Sequence, residues 1–433
     1  MIFELAGTFL LFGAQSAAAP TPEGRIQQVL AETRAGASVS IEAQAARLSE
    51  LGPNAIPVLF DLLQAEPLPS FLAPAHSCSP ATIEVLDPRQ SQVVVAALQK
   101  FRRPQLVQPL TELLLRTTRA RPRADALRVF GAVGDGRDVS LLCRSIAPVS
   151  ANGDVDPALA PPFREAVAAI LRRDITALFG VQSLLRNLPA ASRLCMVHAL
   201  ADLATAPALG ILSQRLGMEP LEDAILLNEI ARAARSVPLP VEPAVLESLR
   251  PHLRSENPIL VRAAADAVGG LEDVESITDL IELLAHADSG VRQVAHAALC
   301  RITGVSFPPD GPRWRAWRDG EAKWFEKVAP HWIEDFLTGA NLEKARAIAE
   351  LSQHPLFRSE IAAVLQRSLL GEPDSIRRLG IGALRQLGAA SATPFLEICA
   401  EDSDPAIAAE AKAALERIRR LRAPAGALAR ATG

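Results

Sequence analysis

The sequence predicts an all-α protein, an α-solenoid of stacked helical hairpins, and three observations carry that expectation. The first is a repeat in residues 257–303. Asn257-Pro258-Ile259-Leu260-Val261-Arg262 opens an Ala-rich helix, Asp273 marks a break, and a Leu/Ile-rich helix follows over 277–284. The pattern restarts at Asp288-Ser289-Gly290-Val291-Arg292, so Val261 and Val291 are thirty residues apart, the period of stacked helix pairs. The second is composition: 49% of residues are apolar but only 4% are aromatic and none is Tyr. Such a core must be built from Ala, Leu, Val and Ile, and Ala and Leu suit closely packed helices. The third is length, because 433 residues exceed what one compact core usually organises and fit an extended array.

Charge excludes little and favours nothing strongly. The net charge of −4 supplies no whole-molecule field toward nucleic acid. Arg outnumbers Lys by forty to five, which together with abundant Ala, Gly and Pro reads as coding bias. Cys78, Cys143, Cys195, Cys300 and Cys399 contain no C-x-x-C, which argues against a zinc ribbon or a disulfide framework. The last four sit among apolar helical residues and read as small buried hydrophobes, while Cys78 is the thiol expected to be exposed.

Residues 1–18 form a short apolar run ending Ser16-Ala17-Ala18, ahead of Pro20. That pattern predicts a cleaved signal peptide, too short for a comfortable membrane span. The missing basic flank (Glu4 is the one charge before Glu23) is its weak point, and the alternative is a cytoplasmic N-terminal helix. Repeats are expected over 19–304, with Asn54 capping a second helix and a Pro-rich loop insertion at 66–90. A Trp-containing helical insertion follows at 305–340. Repeats resume over 341–422, where Asp374-Ser375-Ile376-Arg377 restates the start, and 423–433 reads as a flexible tail.

The Asp-x-x-Val-Arg start, the Ala-x-x-Ala-Leu helix and the Leu-Leu helix after it resemble bacterial HEAT-like repeats, a class with armadillo-like architecture. The resemblance is sharp in 257–304 and 373–420 and looser across the rest of 38–422. It implies a right-handed solenoid of roughly nine hairpins, each burying its apolar stripe against its neighbours. It also implies that the second helices line the inner surface. Asp288 and Asp374 are then expected to cap first helices, and the arginines after the β-branched residue to make inter-repeat ion pairs.

Three features stand out as candidate sites. Trp314, Trp317, Trp324 and Trp332 are all the tryptophans in the chain, interleaved with Arg313, Arg315, Arg318, Lys323 and Lys327. Basic rails around stacked rings would suit single-stranded nucleic acid or a glycan, whereas three rings at helical spacing favour a stripe that docks on the solenoid. Second-helix residues Glu275, Asp279, Glu282, Glu397 and Glu401 would give an acidic inner groove for a basic protein segment. Residues 100–128 carry a local charge of +6 that reads either as an anion footprint or as solvated helix ends.

No G-x-S-x-G, Walker loop, dinucleotide fingerprint or H-E-x-x-H occurs. The histidines are scattered; His286 and His296 lack metal spacing, and His331 beside Trp332 is a weak candidate. The sequence therefore predicts no catalytic, cofactor or metal residues. The expected function is a non-catalytic protein-binding scaffold, exported to the periplasm or beyond. Its alternatives are a lyase-type subunit and a nucleic-acid-binding solenoid that uses the basic region.

Overall fold

The computed structural model describes residues 21–35, 40–65, 86–146 and 155–422. Among them every regular element is an α-helix or a 3-10 turn, arranged as the all-α solenoid of paired helices that the repeat predicts. The candidate signal peptide at 1–18, the tail at 423–433, Cys78 and most of the 66–90 insertion lie outside the described residues. The described part of that insertion ends differently from the expectation. Asp87 caps a helix that starts at Pro88, because Asp87 and Gln90 form a reciprocal capping box and proline suits a helix's first turn.

Helix contacts divide the chain into two compact units, Met1–Ala177 with Arg186–Cys195 and Leu178–Leu185 with Met196–Gly433. The first contains α1 (Pro22–Arg34), α2 (Ile41–Ser49), α3 (Ile56–Gln64), α4 (Pro88–Leu98), α5 (Arg103–Arg116), α6 (Ala120–Val133), α7 (Val139–Ser145) and α8 (Ala160–Arg173). The first helices α2, α4, α6 and α8 stack in a row. Small residues set their spacing: a Cβ on Gly131 would lie 2.9 Å from the Ala166 Cα, so α6 and α8 approach backbone to backbone. The Ser40 hydroxyl accepts the Ala43 N–H at 3.2 Å to start α2. Asn54 does not cap α3, since it lies within the 3-10 turn Pro53–Ala55 that leads into it.

The second unit holds most of α9 (Leu178–Asn187) and the later turns of α10 (Ala190–Leu203). It continues with α11 (Ala206–Ser213), α12 (Pro220–Ala234), α13 (Pro243–Leu249), α14 (Pro258–Gly270), α15 (Ile277–Leu283) and α16 (Ser289–Thr303). The Trp segment is two helices, α17 (Gly311–Lys327) and α18 (Ala329–Thr338). The array ends with α19 (Asn341–Leu351), α20 (Arg358–Leu369), α21 (Asp374–Leu387), α22 (Thr393–Cys399) and α23 (Pro405–Arg422). Helices α12, α14 and α16 stack closely: a Cβ on Gly269 would meet the Ala298 Cβ at 2.8 Å, and one on Gly270 the Ala234 Cβ at 2.9 Å. The clearest repeats end alike, α16 at Gly304 and α21 at Gly388, with φ of +71° and +64°.

The repeat starts behave in two ways. Asp288 caps α16, its carboxylate accepting the Val291 N–H at 2.8 Å, and that bond holds the acid below its ordinary range. Asp374 lies inside α21, where it pairs with Arg377 at 3.2 Å instead. Arg377 also reaches Asp402 before the next helix, the expected inter-repeat ion pair. Arg292 instead donates to the carbonyls of His286 and Ala287 at 2.7 and 2.8 Å, closing the end of the preceding hairpin. Hydrogen bonds to such orphan carbonyls are a common role for arginine near helix ends.

Candidate functional site

The four tryptophans are anchors of their own segment. Trp314 is fully buried, and its indole N–H donates to the Pro308 carbonyl at 3.0 Å. Phe307 and Trp317 meet its ring edge-on at 5.2 and 5.8 Å between centroids, the geometry that aromatic quadrupoles favour. His296 on α16 closes the cluster by donating Nε2–H to the Phe307 carbonyl at 2.7 Å. Trp324 lies flat on His354, and Trp332 packs half-buried against the core of α19 to α23. Two of the basic residues among them are engaged locally: Arg313 covers the Phe307 ring at 4.5 Å, and Arg318 bonds Thr278 and Asp319 at 2.8 and 2.7 Å.

Below Trp324, the His354 Nδ1 contacts Glu321 at 3.1 Å. The second Glu321 oxygen and the Trp324 indole nitrogen are buried with no hydrogen-bond partner. Burial therefore pushes the Glu321 carboxyl above its ordinary value, with the facing His354 opposing the shift.

The second-helix carboxylates lie apart from the three hollows described below. Glu275 and Asp279 are already held by Arg250 and Arg254, at 2.6 and 2.8 Å. Glu282, Glu397 and Glu401 are exposed. None of the five is among the residues lining the hollows of the second unit.

The basic stretch 100–128 is mostly structural. Arg119 donates to the carbonyls of Gln64 and Ala65 at the end of α3, at 2.6 and 3.0 Å. Arg121 donates to the Leu86 carbonyl and the Ser91 hydroxyl, and buried Arg123 to the Ser145 carbonyl. Arg103 pairs with Asp135 and Asp138 at 3.1 Å each, and Arg128 with Asp125 at 2.6 Å. Five of the eight cations are thus engaged within the unit, leaving little of a continuous anion surface.

An open surface with charged, amide and apolar side chains lies on the first helices of the second unit. Three hollows adjoin one another there. One, about 750 Å³, runs between α19, α21 and α23 and is lined by Gln353, Arg378, Leu379, Arg385 and Glu410. It shares Arg385 and Gln386 with a second of about 710 Å³ along α21 and α23, where Glu416 and Arg417 stand. That hollow shares Arg420 and Leu421 with the largest, about 880 Å³, bounded by α12, α14 and α16. There Asp266 is clasped by Arg235 and Arg301 at 2.6 Å each, and Arg262 and Gln293 stand beside them. At the edge, Arg358 is buried, pairs with Glu272 at 2.6 Å and donates to the Arg301 carbonyl at 2.9 Å.

Sequence reasoning missed this groove because it placed the inner surface on second helices. The available signal was arginine spacing on first helices: Arg378 and Arg385 stand two turns apart on α21, and Arg417 and Arg420 one turn apart on α23.

Cysteine chemistry is muted. Cys143, Cys195 and Cys399 are buried, and burial pushes the Cys143 thiol up to about 12. Among the described residues no group of three His, Cys, Asp or Glu is placed to hold a metal ion, and no helix is long and apolar enough to cross a membrane. His331 is exposed, 3.6 Å from Asp335, and faces no hollow described above.

No protein-family model matches the chain, and no curated protein matches it. Solved helical proteins resemble it over most of its length. An engineered protein is 15% identical, with 91% of this chain and 99% of that one covered and a TM-score of 0.33. Kap121p, a karyopherin whose structures include one bound to Pho4p, is 10% identical with a TM-score of 0.40. That match covers 92% of this chain and 45% of Kap121p, so the chain spans under half of the karyopherin's length. Human deoxyhypusine hydroxylase is 17% identical, with 58% and 99% covered and a TM-score of 0.25. The all-α fold rests on the chain's own paired helices, and these likenesses add nothing to it.

Proposed function

We propose that the protein is a non-catalytic scaffold whose second unit holds a segment of another protein along its first helices. The observation that supports this reading is the run of three adjoining hollows, long and open, lined by arginine, glutamine and apolar side chains. An extended chain segment fits such a surface, whereas small-molecule sites bury most of their ligand in one concave pocket. A basic partner, expected from the second-helix acids, would have to use the exposed carboxylates of Glu282, Glu397 and Glu401 instead. Export belongs to the same proposal and rests on the apolar run before Pro20.

A photoactivatable residue replacing Gln293 or Gln386 in the full chain, irradiated in the native host, tests the scaffold reading. Discrete protein adducts are expected; adducts to nucleic acid, or none from either position, would contradict it. N-terminal sequencing of the mature protein tests export: a cut near Ala18 is expected, and an intact Met1 in the cytoplasm overturns it.

A further inference from the structure

The geometry points to an acidic, partly apolar peptide segment as the occupant of the first-helix groove of the second unit. This inference rests on the scaffold reading and names the partner's chemistry. Arginines outnumber carboxylates among the residues lining the three hollows, in a chain whose net charge is −4, so positive charge is concentrated there rather than spread. The carboxylates present are already engaged. Asp266 is shared by two guanidiniums, Glu272 is held by Arg358, Glu410 by Arg385 at 2.9 Å and Glu416 by Arg420 at 2.9 Å. The Arg235–Asp266–Arg301 cluster keeps a net positive charge with one carboxylate between two cations. A ligand carboxylate arriving beside it would gain charge-assisted hydrogen bonds from N–H groups that Asp266 does not use.

Apolar contacts break up the charge. Leu379 is 48% exposed in the first hollow, and Ile259 and Leu421 are 50% and 40% exposed in the largest. A segment in which acids alternate with leucine-like residues would satisfy both features, with charge steering the encounter and apolar burial slowing release. Nucleic acid fits less well. No aromatic ring lines the hollows to stack a base, and four carboxylates interrupt any path for a continuous phosphate backbone.

The test is fluorescence anisotropy of the full-length chain with a fluorescein-labelled peptide of repeated Glu-Leu-Glu-Ser units. A matched peptide with Lys in place of Glu and an oligo-dT strand serve as competitors. The acidic peptide should bind at least about tenfold more tightly than the basic one, and weaken as salt is raised because the contacts are exposed ion pairs. The double variant R378E/R417E reverses two exposed arginines, and should cost at least about tenfold in affinity with an unchanged circular-dichroism spectrum. Equal binding of the Lys peptide, binding unaffected by R378E/R417E, or stronger binding of oligo-dT would each overturn the inference. If the acidic peptide fails while photo-adducts from Gln293 or Gln386 still contain protein, the scaffold reading stands and the acidic partner falls. If those adducts are also absent, both fall.

Discussion

Two arginine-rich regions of this molecule look alike in sequence and differ in structure. In the first unit, Arg119, Arg121 and Arg123 point at backbone carbonyls that end or link helices, and Arg103 and Arg128 at buried aspartates. In the second unit, Arg378 and Arg417 are exposed and line open hollows. The difference lies in whether unsatisfied acceptors are within reach. A helix C-terminus leaves carbonyls without partners, and a long guanidinium nearby is drawn to them before any solvent ligand is considered. Charge counted along the chain does not distinguish the cases; the position of each arginine relative to a helix end does.

The largest effect should come from an arginine in the second unit that behaves like those in the first. Arg358 is 4% exposed and paired with Glu272, so Arg358→Ala leaves a carboxylate without its buried partner and should cost about 3–5 kcal/mol in chemical denaturation. Replacing both partners by apolar residues of similar size should recover most of that loss. A cost below about 1 kcal/mol for the single variant would show that proximity to the groove, not burial, decides the role.

Arg123 comes next. Truncation to Ala removes a donor to the buried Ser145 carbonyl and should cost about 1.5–3 kcal/mol, read from the urea midpoint. Full stability in that variant would return the 100–128 stretch to the list of free cation surfaces.

A smaller, pH-dependent effect is expected where burial acts on an acid. Because the carboxyl of Glu321 titrates above its unfolded value, its favourable contribution is complete below the unfolded value and is lost as pH rises through the folded one. Glu321→Gln should therefore remove the decline in Tm across the interval between the unfolded and the raised folded value, and melt higher than wild type above it. The facing groups are His354 and, beyond it, Glu350, so His354→Gln is the matching control. Parallel Tm profiles of wild type and Glu321→Gln would remove burial as the cause.

Much of the fold was legible in the sequence because the repeat is a local pattern. Val261 and Val291 are both buried, and the cap at Asp288 sits where the polar turn placed it. What failed required knowing what lies opposite. Asp374 has the composition of a cap, yet the chain turns one residue earlier, at Pro373, and leaves it inside the helix. Arg292 and Arg377 follow the same rule in sequence, but one meets carbonyls and the other a carboxylate. The candidate site was less legible. The tryptophans announced themselves by rarity, whereas the groove is built from commonplace arginines and leucines on several helices. Its existence depends on α12, α14 and α16 stacking closely through Gly269 and Gly270, which a single-helix pattern does not reveal.

The most direct measurement is side-by-side thermal unfolding of two double charge reversals, R119E/R121E in the first unit and R378E/R417E in the second. The first pair breaks several hydrogen bonds to carbonyls and should lower Tm clearly, at about 1.5–3 kcal/mol for each charged bond lost. The second pair alters exposed residues and should stay within about 0.5 kcal/mol of wild type. Equal losses from the two variants would contradict the separation of structural from available arginines on which the account rests.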